Sequence, residues 1–553
     1  MVTLPHSSDE TILDRLRRHA ESRTDQIAYR FLRDDGGSHT LTFGQLNRRV
    51  RSLAARLSEH TSPGDRALLM YPPGLEFIEA FLACLAAGII AIPAYPPRPN
   101  RKAERHWAIL EDATPSLILI SSQVAPKSRR LTPTGSPAAY LVTDEIELNN
   151  EDDWPRPTIG PETVAFLQYS SGSTGTPRGV IVTHGNLMAN EKAIQIAFRH
   201  TQEDVVVGWL PVFHDMGLIG NVLQPLYVGF PAILFSPTSF LREPVRWLRA
   251  ISEYRGTTAG APNFAYDHCV RSIKEEQKEG LNLRSWKVAY NGAEPVRADT
   301  LERFAAAFAS CGFRKKAFFP CYGLAEATLF VSGGPAGVEP RRRCAEPSAL
   351  EGGQILATEP PHGRWHVGSG RPAEGTKIVV IDPSTKTPVP AGRVGELWVS
   401  SPSIAAGYWG REVESNSAFR NYLANGEGPF LSTGDLGFID SDEVFVTGRS
   451  KDLIIIRGRN IYPQDVEAAI ERVLPFVEAN SCAAFTFEEN GHELLGVVIE
   501  ADRGLVRIAR TVVDGNGKAE AANVELRVTV GKVRQVIGDE FEVPVHAVVF
   551  VRP

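Results

Sequence analysis

The chain has 553 residues, 43% of them apolar and 22% charged, and a formal net charge of −6. That length calls for two or three domains rather than one, and the balance is ordinary for a globular protein. The negative charge removes any global electrostatic case for nucleic acid or anionic lipid, so neither a nucleic-acid partner nor stable membrane association is expected.

The predicted elements alternate along the chain. Leu46, Val50, Leu53, Ala54 and Leu57 recur at helical spacing and make one apolar face. RALLMY (66–71) reads as a buried strand and LEFIEAFLACLAAG (75–88) as a buried helix ending at glycine. IIAIPAY (89–95), a helix in AERHWAILEDA (103–113) and SLILIS (116–121) continue the pattern. VVVGWL (205–210), PAILFS (231–236) and WKVAYNG (286–292) are further strands, and VRWLRAISEY (245–254) and LERFAAAFAS (301–310) further helices. Such alternation predicts an α/β fold with mostly parallel sheets. After about residue 333 short strands such as KIVVID (377–382) and GELWVS (395–400) sit among Gly and Pro, which predicts a β-rich subdomain over about 334–448. A boundary is expected at 446–452. Beyond it a strand, a polar turn and a helix opening on Pro463, with Val466, Ile470, Val473 and Leu474 inward, begin a small unit of about one hundred residues.

Six cysteines, at 84, 269, 311, 321, 344 and 482, form no C-x-x-C pair, which argues against a zinc site or a disulfide framework. The start, MVTLPHSSDE, lacks the basic-then-apolar order of a signal peptide. The most apolar stretch, Phe81 to Tyr95, is broken by Gly88 and Pro93 and is too short to span a bilayer. A cytoplasmic protein is expected.

Six polar clusters interrupt these elements. The first is LQYSSGSTGTPRGVIVTHGNL (167–187), where a strand runs into glycines and hydroxyls. Ser170, Ser171, Gly172, Ser173, Thr174 and Gly175 would offer N–H and O–H donors, and Arg178 a fixed positive charge, to a polyphosphate. No Gly-Lys-Ser/Thr follows, so this is no Walker A loop, and by itself the composition also fits a surface linker. The second is WLPVFHDMGLIG (209–220), where His214 and Asp215 follow a strand, either as a catalytic group or as a helix cap. The third is AYNGAEPV (289–296), with Gly292, Ala293 and Glu294 after a strand. The fourth, PCYGLAEATLFVSG (320–333), offers Tyr322 to stack on a base and Glu326 to hold a magnesium ion. The fifth, LSTGDLGFID (431–440), places Asp435 where a carboxylate suits a ribose diol. The sixth, VTGRSKDLIIIRGRN (446–460), carries Arg449, Lys451 and Asp452 at the domain boundary. Together these are the parts needed to bind ATP and stabilise charge on phosphorus.

In their order and spacing, YSSGSTGTPRGV, YGLAEA, STGD and GRSKD resemble the adenylate-forming superfamily of acyl-CoA synthetases, adenylation domains and luciferases. AIPAYPPRPNR, WLPVFHDMGLIG, APNFAYDHCVR, YGLAEATLFVSG and KDLIIIRGRNIYPQDVE resemble its fatty acyl-AMP ligase branch, and the likeness covers nearly the whole chain. The resemblance implies an N-terminal adenylation domain over 1–448, made of layered α/β subdomains and the β-rich one. A small mobile α+β domain over 449–553 would swing about a hinge near Lys451. It implies that a fatty carboxylate attacks the α-phosphate of ATP, giving acyl-AMP and pyrophosphate, and that the acyl group then passes to the phosphopantetheine thiol of an acyl carrier protein. Ser171 to Gly175 would wrap the triphosphate, with Ser170 and Arg178 beside it. Gly292, Ala293, Glu294 and Tyr322 would frame the adenine, followed by Gly323, Leu324 and Ala325. Glu326 would coordinate Mg2+, Asp435 and Arg449 would take the ribose, and His214 would lie beside the reacting carboxylate.

Three features bear on the branch. Arginine stands at 178 where the family carries lysine; it keeps the charge and can grip phosphate bidentately. The family's last motif, roughly P-x-T-x-S-G-K, would begin where the chain ends at HAVVFVRP, so a truncated chain or a poor adenylator is expected. Losing such a lysine commonly costs several kcal/mol, or roughly hundreds-fold in rate. Lys532 is no substitute: Val524, Val528, Val533 and Ile537 suggest a helix around it, and it reads as a solvated residue. Finally, a polar stretch over 335–364 carries the triplet Arg341 to Arg343. It is either a tolerated surface insertion or the branch's insertion, which the resemblance implies packs between domains and hinders transfer to CoA. Two rivals remain: a medium- or long-chain acyl-CoA ligase, and a non-catalytic adenylate-binding protein.

Overall fold

The computed structural model describes residues 10–96, 104–125, 138–147, 154, 156–171, 177–346, 349–350, 352–360, 363–456, 459–474, 476–477, 481–489, 492–501, 519–541 and 543–552. Two large sheets carry the first three hundred residues or so. A six-stranded sheet runs in the order 139–142, 117–120, 66–70, 90–94, 164–171, 177–183. Its strands are parallel except for the last hairpin, Val164–Ser171 with Pro177–Thr183. The strand Ile90–Ala94 contains Pro93, which has no N–H to give a ladder. Its pairing to the neighbouring 164–171 strand is limited to Ala91 opposite Phe166. The covering helix Glu76–Ala86 buries Phe77, Ile78 and every residue from Ala80 to Ala86, as that apolar run requires. It ends through Gly88 at φ +72°, with the Ile89 N–H donating back to the Cys84 carbonyl (2.8 Å).

A nine-stranded sheet runs 371–372, 330–333, 318–323, 288–291, 258–261, 206–208, 232–235, 27–32, 38–42. Its central strands, from 318–323 to 27–32, are parallel. Between the layers lies one continuous apolar core, with Trp247, Trp286, Tyr266, Phe240 and Phe304 fully buried. The two sheets deliver their motifs in the same way. The polar clusters at 172–176, 209–215, 292–294 and 324–326 each follow the carboxyl end of a strand, where open α/β sheets place their ligands.

Residues 377–449 form a five-stranded antiparallel sheet, in the order 387–388, 377–382, 395–400, 431–440, 443–449. The pair Arg371–Pro372, inside the stretch expected to be β-rich, instead completes the nine-stranded sheet beside Phe330–Gly333. From Ile454 to Val545 a separate core gathers Val466, Ile470, Leu495, Val497, Val533 and Ile537. The helix Pro463–Val473 opens on its proline as expected and buries Val466, Ala469 and Ile470. The helix Ala519–Phe541 buries Val533, Val536 and Ile537, whereas Val524 and Val528 are exposed. Among the described side chains its buried apolar ones lie in the C-terminal half, and Lys532 sits on the exposed side of that half. No helix among the described residues is long and apolar enough to cross a membrane.

Candidate active site

A cavity of about 630 Å³ opens where the strand ends meet the five-stranded sheet. Ser170, Arg178, His214, Gly292, Ala293, Tyr322, Gly323, Leu324, Ala325, Glu326, Arg449 and Lys451 all line it. Residues some 280 apart in sequence thus share one wall. Gly172, Ser173, Thr174 and Gly175, and the side chain of Ser171, lie outside the described residues. The hairpin that carries them is fixed at both ends. Gln168 donates its amide to the Phe213 carbonyl (2.9 Å), which ties the first strand to the segment bearing His214. After the second strand, Thr183 and Asn186 cap the helix His184–Phe198 reciprocally. Asn186 also donates to the carbonyls of Pro402 (3.0 Å) and Ile404 (2.8 Å), which joins that helix to the turn before the helix Glu412–Phe419.

Arg178 pairs with Glu414 (3.1 Å) and stands 5.3 Å from the centroid of the Tyr408 ring. Tyr408 in turn donates its hydroxyl to Glu326 (2.9 Å). Guanidinium, phenol and carboxylate therefore face one lumen. Tyr408 and Glu414 were not singled out from sequence. Their signal is the run AAGYWGREVE (405–414), a glycine–aromatic turn into an acidic helix start, which alone fits many surface turns.

Of the two readings open to His214, the structure shows the helix cap. His214 caps the short helix Asp215–Leu218 and also lines the cavity. Its Nδ1 lies 2.7 Å from an Asp215 carboxylate oxygen. Burial disfavours the imidazolium, but the adjacent carboxylate outweighs it, and the His214 pKa is raised above its usual 6.5.

Gly292 and Gly323 are needed for close approach. A Cβ at 292 would meet the Cys321 carbonyl at 2.8 Å, and one at 323 the Leu329 carbonyl at 1.8 Å. Ala293 between them holds φ +67°, a strained conformation of the kind found at ligand clamps. The Glu294 carboxylate departs from its expected place. It accepts from the Phe264 N–H (2.5 Å) at the start of the helix Asn263–Ser272, and it faces a second cleft rather than the main cavity. Capping an otherwise uncapped helix start accounts for that orientation. Tyr322 and Asp435, read as separate groups, are bonded: the hydroxyl donates to the carboxylate (2.6 Å), which Arg449 also approaches (3.1 Å). Burial raises the Asp435 pKa despite these two partners. Tyr322 is thereby held in place where it lines the cavity.

The layered α/β body, with a cavity where strand ends meet a five-stranded antiparallel sheet, has the fold of the adenylate-forming enzymes. A family model described as AMP-binding enzyme matches residues 16–409. The chain belongs to this family, in its fatty acyl-AMP ligase branch. The medium-chain fatty acid–acyl-carrier-protein ligase JamA of Moorena producens is 40% identical, over 98% of this chain and 91% of its own. The long-chain fatty acid–AMP ligase FadD32 of Mycolicibacterium smegmatis is 36% identical, over 87% and 80%. The solved fatty acyl-adenylate ligase from L. pneumophila, in complex with acyl adenylate and pyrophosphate, superposes with a TM-score of 0.78 at 38% identity, over 98% and 92%.

Proposed function

We propose that this enzyme converts a fatty acid and ATP to fatty acyl-AMP and pyrophosphate, then passes the acyl group to the phosphopantetheine thiol of an acyl carrier protein. The observation that carries this reading is one cavity lined both by Arg178, Glu326, Arg449 and Lys451 and by the apolar side chains of Ile194, Phe198, Met216 and Leu329. A molecule that is phosphate at one end and alkyl at the other fits that polarity.

In the first half-reaction a carboxylate oxygen of the fatty acid bonds to the α-phosphorus, and the bond from that phosphorus to the bridging oxygen breaks. The chain's part is positioning and charge stabilisation. Arg178, steered by Glu414 and Tyr408, faces the phosphates. Gly292, Ala293 and Tyr322 frame the adenine, and the Asp435–Arg449 pair meets the ribose. His214 lies beside the reacting carboxylate, and its imidazolium form, which Asp215 favours, would give a charge-assisted donor there. The Glu326 carboxylate is held by one tyrosine hydroxyl, which leaves its second oxygen for a cation. Glu326 would hold Mg2+, which would supply positive charge to offset that of the phosphates.

The separate core from Ile454 to Val545 supports a mobile unit of 449–553 on a body of 1–448, with Lys451 at the hinge. A cytoplasmic setting agrees with six free cysteines among the described residues. The test is product analysis with ATP, Mg2+ and a fatty acid. Acyl-AMP and pyrophosphate are expected; ATP left intact sinks the reading.

A further inference from the structure

The cavity has an aromatic wall, and how that wall is held bears on which acids the enzyme accepts. The wall after His214 is not a regular helix. Asp215–Leu218 is α-helical, Ile219–Leu223 is a π-helical turn, and Gln224–Val228 is α-helical again. Such insertions concentrate at functional sites, because the extra residue re-aims the side chains of one turn. Here the turn presents Gly220 to the lumen. Tyr290 stands opposite: the nearest atom to a Cβ built at 220 is its hydroxyl oxygen, at 3.9 Å. There is room for a methyl group there, and a larger side chain would enter the lumen.

Tyr290 cannot easily turn aside. It is buried, and its hydroxyl donates to Asn221 (2.6 Å) in the same π-helical turn. Phe198 packs beside it at 5.8 Å between ring centroids, and against His200 at 5.2 Å. Phe198, His200 and Tyr290 all line the cavity. His200 is pinned from behind. Its Nε2 meets the Thr258 hydroxyl (2.9 Å), and its Nδ1 meets the Gln224 carboxamide oxygen (3.1 Å). The Gln224 nitrogen then donates to the Glu191 carbonyl (3.0 Å). Burial lowers the His200 pKa to about 4, so the ring is neutral, one nitrogen donating and the other accepting. With both nitrogens engaged, it presents only ring carbon to the lumen. Packed, hydrogen-bonded walls of this kind repack at a cost and do not stretch continuously.

We propose that Phe198, His200 and Tyr290 form a rigid aromatic floor facing Gly220, and that this floor sets the longest acyl tail the enzyme activates. The inference rests on the acyl-AMP reading above and goes further, restricting the substrate to acids whose tails end at that floor. A hydrophobic pocket discriminates one methylene by roughly tenfold or more when the misfit is steric. Acids short enough to clear the floor should react, and longer homologues should fall away steeply.

The experiment measures kcat/KM for acyl-AMP formation across a ladder of saturated acids, short to long, for the wild type, Phe198→Ala and Gly220→Leu. Phe198→Ala should raise the ratio for long over medium acids by about tenfold or more, and Gly220→Leu should lower the cut-off to shorter acids by a similar factor. A gain on longer acids cannot come from a misfolded protein, which protects the test against a damaged variant. If the wild type forms acyl-AMP and Phe198→Ala leaves the ratio unmoved, the floor is overturned and the acyl-AMP reading stands. If the wild type forms no acyl-AMP at any length, that reading falls and the floor with it.

Discussion

Glu326 sits between two tests of the account. Its carboxylate accepts from Tyr408, and Tyr408 lies under Arg178. Glu326→Gln keeps the shape and removes the charge, so pyrophosphate release should fall by about a hundredfold or more with little change in melting temperature. A rate within about threefold of wild type would remove Glu326 from the chemistry. For His214 the prediction concerns pH. Its folded pKa is raised, so the stability it contributes is full below the unfolded value of 6.5 and is lost as pH rises through the folded value. Asp215→Asn removes what raises the pKa and leaves the burial that lowers it, so the His214 midpoint in an NMR titration should drop below 6.5. A midpoint that stays above 6.5 would mean another group holds the proton. At this scale the sequence told which residue types gather, not whom they bond. That Glu294 caps a helix thirty residues upstream, and that Tyr322 bonds Asp435 across 113 positions, follows from packing that no local pattern encodes.

Among the elements, the parallel strands and their trailing polar turns were the most legible part. Two-sided burial gives runs such as RALLM and AILF that few other structures need. Less legible was the face of the helix Ala519–Phe541, because its valines recur at helical spacing over a longer stretch than the core covers. The arginine triplet was also opaque. Arg341 pairs with Glu443, Arg342 with Glu302 and Arg343 with Asp440, so the triplet is spent on local ion pairs. The strand it belongs to, Arg342–Ala345, pairs with Arg364–Val367. Arg364 then reaches the C-terminal unit, pairing with Asp465 (2.5 Å) and lying 4.6 Å from the Phe541 ring centroid. Arg297 makes a second link, to Glu471. Arg364→Ala should therefore speed amide hydrogen exchange in the helix Pro463–Val473 by roughly tenfold, matching about 1–2 kcal/mol for the lost contacts. Unchanged exchange would show that the contact does not hold the unit.

Taken whole, the largest apolar core, which carries the cavity, and the separate core of the C-terminal unit are linked through a short polar segment, from which Arg449, Lys451 and Asp452 reach the cavity. An arrangement that can turn about that joint can use one cavity for two half-reactions. We propose that the stretch 335–364, whose hairpin carries Arg364 to Asp465, hinders transfer to CoA, so deleting it should raise acyl-CoA formation when CoA is supplied. No gain would sink that role. The measurement that bears most directly on the central claim is mass spectrometry of the products formed from ATP, Mg2+ and a mixed ladder of fatty acids, with CoA present or absent. The account predicts that acyl-AMP accumulates, that CoA leaves it untouched and that a phosphopantetheinylated carrier protein consumes it. Acyl-CoA in place of acyl-AMP, or ATP left intact, would contradict it.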